Sequence, residues 1–241
     1  MTQTELIRLG IIGGLNGSFG VTEDGFLSAS RIESVPNLVY IPSEFDGKKI
    51  LGIDERGFLD CPDLAIVSIE EGIEEIRTGA FENCVRLAVV KLPKSLLFLG
   101  DYAFSSCPKL VMITIPDNVG SIEDATFMGC VSLRKVITPK NLRKIGPNAF
   151  RGCSVLEAVK IGDTVESIGE YAFLGCRSLI TLEIPKSVDH IGSKAFFGCS
   201  GLRNIFYGGT CSQWRRIAGS NAEAGIPEGC IVRCSNGNVG V

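Results

Sequence analysis

The residues best equipped for chemistry are ten cysteines in a chain of 241 residues. Thiols can form disulfides, bind zinc or act as nucleophiles, and their spacing distinguishes these uses. No Cys-x-x-Cys pair is present, so a zinc site is not expected. Seven of the cysteines recur every 23 residues, and since seven equivalent positions cannot all pair, we expect a column of buried, reduced thiols. They are Cys61, Cys84, Cys107, Cys130, Cys153, Cys176 and Cys199.

Three further cysteines, Cys211, Cys230 and Cys234, lie outside this period. One disulfide among them would close a loop of about twenty residues and stabilise the fold by about 3 kcal/mol. Three unpaired thiols fit the sequence equally well, so both interpretations stay open.

Other catalytic groups are sparse. The single histidine, His190, occupies a variable position and is expected to be a solvated surface residue. The acidic pairs Glu70-Glu71 and Glu74-Glu75 fall within one repeat, where surface charge explains them, although two carboxylates are all that a glycosidase needs. No acidic or basic cluster recurs in adjacent repeats. We therefore predict a protein that is not an enzyme, with no catalytic residues, no metal site and no cofactor.

The cysteines belong to a longer repeat. A phenylalanine stands three residues before each of the seven and a leucine three residues after it, without insertion. A fixed period of this length predicts a solenoid, in which each rung buries its apolar side only against its neighbours. The alternating end of Leu-x-x-Val-x-Ile predicts a short strand, and the spacing of three in Ala-Phe-x-x-Cys-x-x-Leu could form one helical turn.

The repeat divides the chain into three parts: residues 1–52 as an N-terminal cap with a first partial rung, 53–207 as seven repeats, and 208–241 as a C-terminal cap. In the first part, Asp24-Gly25 predicts a hairpin turn and an insertion is expected within 43–50. In the last part, Trp214 should close the final rung and residues 231–234 should add a strand before a frayed tail.

Composition excludes some partners and leaves the compartment open. A net charge of −3 and a pI of about 5.4 provide no positive field for nucleic acid. No apolar run reaches the roughly eighteen residues of a membrane span. The first residues have no secretory signal, so the chain is either cytoplasmic as written or a fragment of a longer precursor.

The unit Ile-Gly-x-x-Ala-Phe-x-Gly-Cys-x-x-Leu-x-x-Val-x-Ile-Pro resembles the BspA-like class of leucine-rich repeats, and so does the ending from Tyr207 to Trp214 and Cys234 to Gly237. The resemblance implies a right-handed leucine-rich repeat solenoid with parallel strands on its concave side. It also implies adhesion and protein–protein contact at the cell surface or after secretion, without catalytic residues. Two departures are a cysteine that precedes the strand and the missing export signal.

The residues two and four positions after each repeat leucine should point outward from the strands. The first row is Ile66, Val89, Met112, Lys135, Ala158, Thr181 and Asn204, and the second is Ser68, Lys91, Thr114, Ile137, Lys160, Glu183 and Phe206. The first three residues of the first row are consecutive and apolar, which is typical of a protein-binding patch. The partner-binding face that we predict consists of Ile66, Val89, Met112, Lys135 and the whole second row. Coverage by the N-terminal cap, or an incidental cluster, would explain the same residues.

Two other functions fit the sequence. A glycan-binding or polysaccharide-associated surface protein would use Tyr102, Tyr171 and nearby acids, and a structural spacer would self-associate within a larger array. A glycan is thus an alternative to an unknown protein partner, for which a host or surface protein is one candidate. The sequence identifies neither the partner nor the oligomeric state.

Overall fold

The computed structural model describes residues 19–29, 35–45 and 47–240, and the repeats within them stack as a solenoid. Where the strands of successive repeats pair, they are parallel with an offset of 23 residues, so that Met112 pairs with Lys135 and Lys135 with Ala158. Each side chain therefore lies over its equivalent in the neighbouring rung. The solenoid predicted from the period is confirmed.

One side of the solenoid, the long-strand face, carries the strand that follows each repeat leucine. Its side chains alternate, so that Ile113 is buried while Met112 and Thr114 are exposed. Pairing joins the strands in three groups, with interruptions after β9 and after β15. The strands are β3 (Leu38–Ile41), β7 (Ile66–Ile69), β9 (Val89–Lys91), β11 (Met112–Thr114), β13 (Lys135–Ile137), β15 (Ala158–Val159), β17 (Thr181–Ile184), β19 (Asn204–Tyr207) and β20 (Ile231–Cys234).

A second side, the short-strand face, carries the strand that contains the next repeat isoleucine. Its strands are β1 (Gly20–Val21), β2 (Phe26–Ser28), β6 (Gly52–Ile53), β8 (Glu75–Ile76), β10 (Phe98–Leu99), β12 (Ser121–Ile122), β14 (Lys144–Ile145), β16 (Ser167–Ile168) and β18 (His190–Ile191). β1 and β2 pair antiparallel around Gly25, which has φ 84°, as the Asp24-Gly25 turn predicts. The expected insertion forms a second hairpin of β4 (Glu44–Phe45) and β5 (Lys48–Lys49).

The third side, the turn side, differs from the helical turn expected from the spacing of three. Each rung has two left-handed residues, such as Tyr102 at φ 56° and Ser106 at φ 56°, and both positions recur every 23 residues. Left-handed residues interrupt a right-handed helical run. Alternate amides therefore donate to the next rung, as Tyr102 does to Asp124 O and Phe104 to Thr126 O, both at 2.9 Å. The turn side is thus a ladder of backbone hydrogen bonds between rungs.

The repeat phenylalanines form a column inside the stack. Each ring of the seven, from Phe58 to Phe196, is buried and stacks on the next with centroids 5.1 to 5.9 Å apart. Burial of one such side chain contributes about 2–3 kcal/mol. The constant register therefore aligns the largest apolar side chains of all the rungs.

The C-terminal cap closes the last rung with two helices, α1 (Cys211–Ala218) and α2 (Asn221–Ala224). Trp214 on α1 is buried and meets Tyr207 edge to face at 5.4 Å. The main chain of α2 accepts the last turn-side bonds, from Lys194 N to Glu223 O and from Phe196 N to Ala224 O at 2.9 Å. The expected frayed tail is wrong, because the segment after β20 turns back and pairs antiparallel with it as β21 (Gly237–Val239).

Candidate functional site

Every residue of the predicted partner-binding face lies on the long-strand face, and all of them except the half-buried Ser68 are exposed. The alternation along each strand places the repeat valine or isoleucine inward and its two neighbours outward. The constant register then aligns the outward residues in the two rows that the spacing predicts. The structure therefore brings these side chains together on one surface.

The apolar part of this surface lies toward its N-terminal end. Val89 and Met112 are each 52% exposed and Ile66 is 38% exposed. Ile66 pairs directly with Val89, and Met112 occupies the same position one rung further on. Three large apolar side chains in consecutive rungs form a contiguous patch in contact with water.

Both caps extend the two rows beyond the residues that the sequence analysis identified. At the N-terminal end Leu38 pairs with Ile66 and Tyr40 with Ser68. At the C-terminal end Ile231 pairs with Asn204, while Arg233 lies opposite Phe206. The signal was available, because Val39-Tyr40-Ile41-Pro42 matches the end of the repeat strand and residues 231–234 were expected to form a strand. The N-terminal strand continues the face rather than covering it.

Several shallow grooves interrupt the surface, and two of them lie between β9 and β15. The first, of about 540 Å³, opens where pairing is broken between β9 and β11, and its lining includes Val89, Met112 and Lys91. The second, of about 330 Å³, has Lys135 and Ile137 among the residues around it. Each groove therefore combines an apolar wall with a lysine, and the second also has Arg134 and Glu157 in its lining.

Six of the seven periodic thiols donate to a backbone carbonyl of the preceding rung, whereas Cys61, in the first rung, donates to Leu59 O at 3.8 Å. Cys130 Sγ donates to Phe104 O at 3.1 Å, and Cys199 Sγ to Phe173 O at 3.0 Å, each 26 residues back in the preceding rung. Burial raises the pKa of Cys130 to about 12. Reactive cysteines need a stabilised thiolate at an accessible position. These thiols are instead buried donors, and the ten cysteines are unpaired.

The acidic candidates also have structural partners. Burial opposes ionisation of Glu70, but hydrogen bonds from the Ser43 N–H, the Tyr40 hydroxyl and the Ser43 hydroxyl outweigh it, so the pKa of Glu70 is lowered. The Glu71 carboxylate accepts the N–H groups of Lys94 and Ser95, each at 3.1 Å. These carboxylates hold neighbouring rungs together and face no catalytic partner.

The residues proposed for glycan binding are not brought together. Tyr102 and Tyr171 occupy equivalent turn-side positions three rungs apart, and both are half-buried. At about 4.8 Å per rung they are separated by about 14 Å. His190 lies exposed in β18 on the short-strand face. None of the three lies on the surface formed by the two rows.

The described ranges contain no group of three or more histidine, cysteine or acidic side chains placed to hold a metal ion. Within the same ranges, neither helix has the length and apolar character needed to cross a membrane.

The sequence matches a known repeat profile. Six copies of the profile described as "BspA type Leucine rich repeat region" match residues 51–156 and 120–220. No curated protein sequence matches the chain.

Solved structures share the fold. The leucine-rich repeat protein of T. pallidum is 26% identical, with a TM-score of 0.54, and the alignment covers 78% of this chain and 77% of that one. A leucine-rich repeat protein from Bacteroides ovatus is 22% identical, with a TM-score of 0.50, over 79% of this chain and 69% of that one. Both are similar to this chain in fold, and neither description specifies a ligand.

Proposed function

This chain belongs to the BspA-type leucine-rich repeat family, and on that premise we propose that it is a non-catalytic module that binds a protein partner through its long-strand face. The observation that carries the proposal is the exposed apolar row of Ile66, Val89 and Met112 in consecutive rungs, each on a strand that is paired with a neighbour. Adhesion at a cell surface is the setting that the family resemblance implies, and it forms part of the proposal.

The physical reason is the cost of leaving apolar area in water. Each Å² that a partner covers contributes about 25 cal/mol before the costs of association are subtracted. Side chains held on paired strands lose little further freedom on binding, so more of that gain is kept. The row also lies amid polar and charged residues, which is the usual arrangement of an interface core and its rim.

The test uses a charge placed within the patch. We expect the double variant V89E/M112E to lose capture of the partner by at least about tenfold, because an unpaired carboxylate would be desolvated at the interface core. The matched control is L97E/F98E on the short-strand face, where Leu97 is 52% and Phe98 41% exposed. Far-ultraviolet circular dichroism and a thermal melt establish that both variants fold.

Capture that survives V89E/M112E, or that is lost equally with L97E/F98E, would exclude the long-strand face as the binding surface. Loss with the first variant alone would support it.

A further inference from the structure

The charges of the long-strand face are of one sign over most of its length. From β3 to β15 its two rows include three exposed lysines, Lys91, Lys135 and Lys160, and no carboxylate. The chain as a whole carries a net charge of −3, so the charge of this surface is opposite in sign to that of the whole chain. The twelve positions are Leu38, Ile66, Val89, Met112, Lys135 and Ala158 in the first row, and Tyr40, Ser68, Lys91, Thr114, Ile137 and Lys160 in the second.

These lysines are available to a partner. No ion pair within 4.0 Å in the described part of the chain includes any of the three. The pKa of Glu71 is lowered mainly by the N–H group of Lys94, with smaller contributions from the Ser95 N–H group and the charges of Lys94 and Lys91. Beside the second groove, Glu157 is paired with Arg134 at 2.8 Å. Lys91 and Lys135 are therefore unpaired, whereas Lys160 lines a groove together with Asp163 and with Glu183, the next residue of its row.

The two grooves repeat the same chemistry at a fixed separation. The groove between β9 and β11 has Val89 and Met112 beside Lys91, and the groove between β13 and β15 has Ile137 beside Lys135. Their centres are two rungs apart, or about 10 Å at the spacing of paired strands. In a polyproline II segment, residues three apart point the same way and lie about 9.3 Å from each other. One extended segment can therefore place an apolar side chain in each groove.

We propose that the long-strand face binds an extended acidic segment with apolar side chains at positions i and i+3. This inference rests on the proposed function and specifies the chemistry of its partner. The apolar side chains fill the grooves, while carboxylates between them face Lys91, Lys135 and Lys160. Attraction between exposed charges steers the partner to the surface, and salt weakens it.

The probe is a fluorescein-labelled peptide of about ten residues, all glutamate except two leucines separated by two glutamates. Fluorescence anisotropy is compared with two controls, one with glutamine for glutamate and one with alanine for leucine. We expect the acidic leucine peptide to bind at least about tenfold more tightly than either control. Its affinity should fall severalfold between about 0.05 and 0.5 M salt.

The variant K91Q/K135Q/K160Q should reduce binding of the acidic peptide to the level of the glutamine peptide. The matched control is K109Q/R151Q/R177Q, which removes the same number of exposed positive charges from elsewhere on the solenoid and should leave binding unchanged.

Three results would overturn the inference: no binding by the acidic peptide, equal binding by the glutamine peptide, or equal binding by an oligothymidylate that depends on the same lysines. The proposed function fails separately, because it is tested by the loss of partner capture in V89E/M112E. If V89E/M112E loses partner capture but the acidic and glutamine peptides bind equally, the long-strand face remains the protein-binding surface and the acidic partner is rejected.

Discussion

The periodic cysteine satisfies two demands at one position. It fills a buried site of small volume, and its thiol donates to a phenylalanine carbonyl of the preceding rung, as Cys153 does to Phe127 O at 3.1 Å. Alanine would satisfy only the first demand and leave that acceptor with one fewer partner. The column therefore has a structural explanation that involves no disulfide and no metal.

The thiols should react in an order set by position and pKa. A pKa of about 12 for Cys130 means that its thiolate fraction at pH 8 is very small and rises tenfold with each pH unit. Cys61, at the first rung, retains 7% exposure, whereas Cys130 has none. We expect iodoacetamide to modify Cys61 well before Cys130 in the native protein, as measured by mass spectrometry of peptides over time.

Denaturant supplies the control, because all seven thiols should then react at similar rates. If Cys130 were labelled as fast as Cys61 in the native protein, the inner thiols would be accessible to the reagent and the prediction would be wrong.

At the residue scale, the sequence was sufficient to predict the buried thiols but not their hydrogen bonds. Periodicity places Cys130 over Cys107, whereas the bond to Phe104 O depends on how far the turn brings that carbonyl inward. The left-handed conformation at Tyr102 was unpredictable for a related reason. Its position in the repeat is glycine once, at Gly79, and is otherwise filled by tyrosine, arginine, alanine, asparagine or lysine, so no residue type marks it.

Among the elements, the C-terminal cap places its three unpaired cysteines in different surroundings. Cys234 lies opposite Gly237 in the hairpin of β20 and β21, and Cys211 Sγ lies 3.8 Å from where a Cβ on Gly237 would stand. Burial, together with the hydrogen bond that the thiol makes to Cys211, raises the pKa of Cys234 to about 11. Cys230 is fully buried before the strand. The two half-buried thiols are therefore the pair placed to react.

We expect oxidised glutathione to link Cys211 to Cys234 and leave Cys230 a thiol. The two thiols lose two protons and two electrons to the oxidant, which leaves as two molecules of reduced glutathione. The bond would tie α1 to the terminal hairpin and raise the free energy of unfolding by about 3 kcal/mol. Peptide mapping locates the bond, and denaturant unfolding with and without reductant measures its effect.

C230S should behave as the parent protein, whereas C211S should remove both the bond and the gain. A mapped bond to Cys230, or no bond at about pH 9, would contradict the pairing.

The same cap illustrates the limits of prediction at this scale. The Trp214 closure and the strand at Ile231–Cys234 follow from amphipathic character and alternation. The last strand was missed because Ser235-Asn236-Gly237 has the composition of a frayed tail, although Asn-Gly is also a common hairpin signal. Whether these residues form a tail or a hairpin depends on whether a strand is available to pair with the segment that follows them, and the sequence does not show this.

In the molecule as a whole, the stability of each rung depends on its contacts with the rungs on either side. Phe127 stacks on Phe104 at 5.9 Å and on Phe150 at 5.7 Å, so one side chain supports two interfaces. The period predicts this column directly, but it does not predict the interruptions in strand pairing after β9 and β15, since the repeat is unbroken there. The groove between β9 and β11 opens at one of these interruptions, whereas the second groove lies beside β13 and β15, which do pair, and the repeat pattern predicts neither.

Removal of a central phenylalanine ring should therefore lower the stability of the rungs on both sides of it. We expect F127A to lower the free energy of unfolding by about 3–5 kcal/mol, through lost burial and the cavity that remains. Because each rung contacts only the next, the loss should spread outward from the mutated rung and fade toward the ends. Amide hydrogen exchange should therefore accelerate most around Phe104 and Phe150, symmetrically about the change.

The matched control is F197A, the same substitution at a residue on the turn side that is 56% exposed, and it should change stability by less than about 0.5 kcal/mol. If F127A accelerated exchange equally in every rung, the molecule would unfold as one cooperative unit and nearest-neighbour coupling would not describe it. Exchange confined to the mutated rung would mean that the interfaces are independent. Graded exchange is expected because the phenylalanine column, the thiol bonds and the turn-side ladder all connect adjacent rungs.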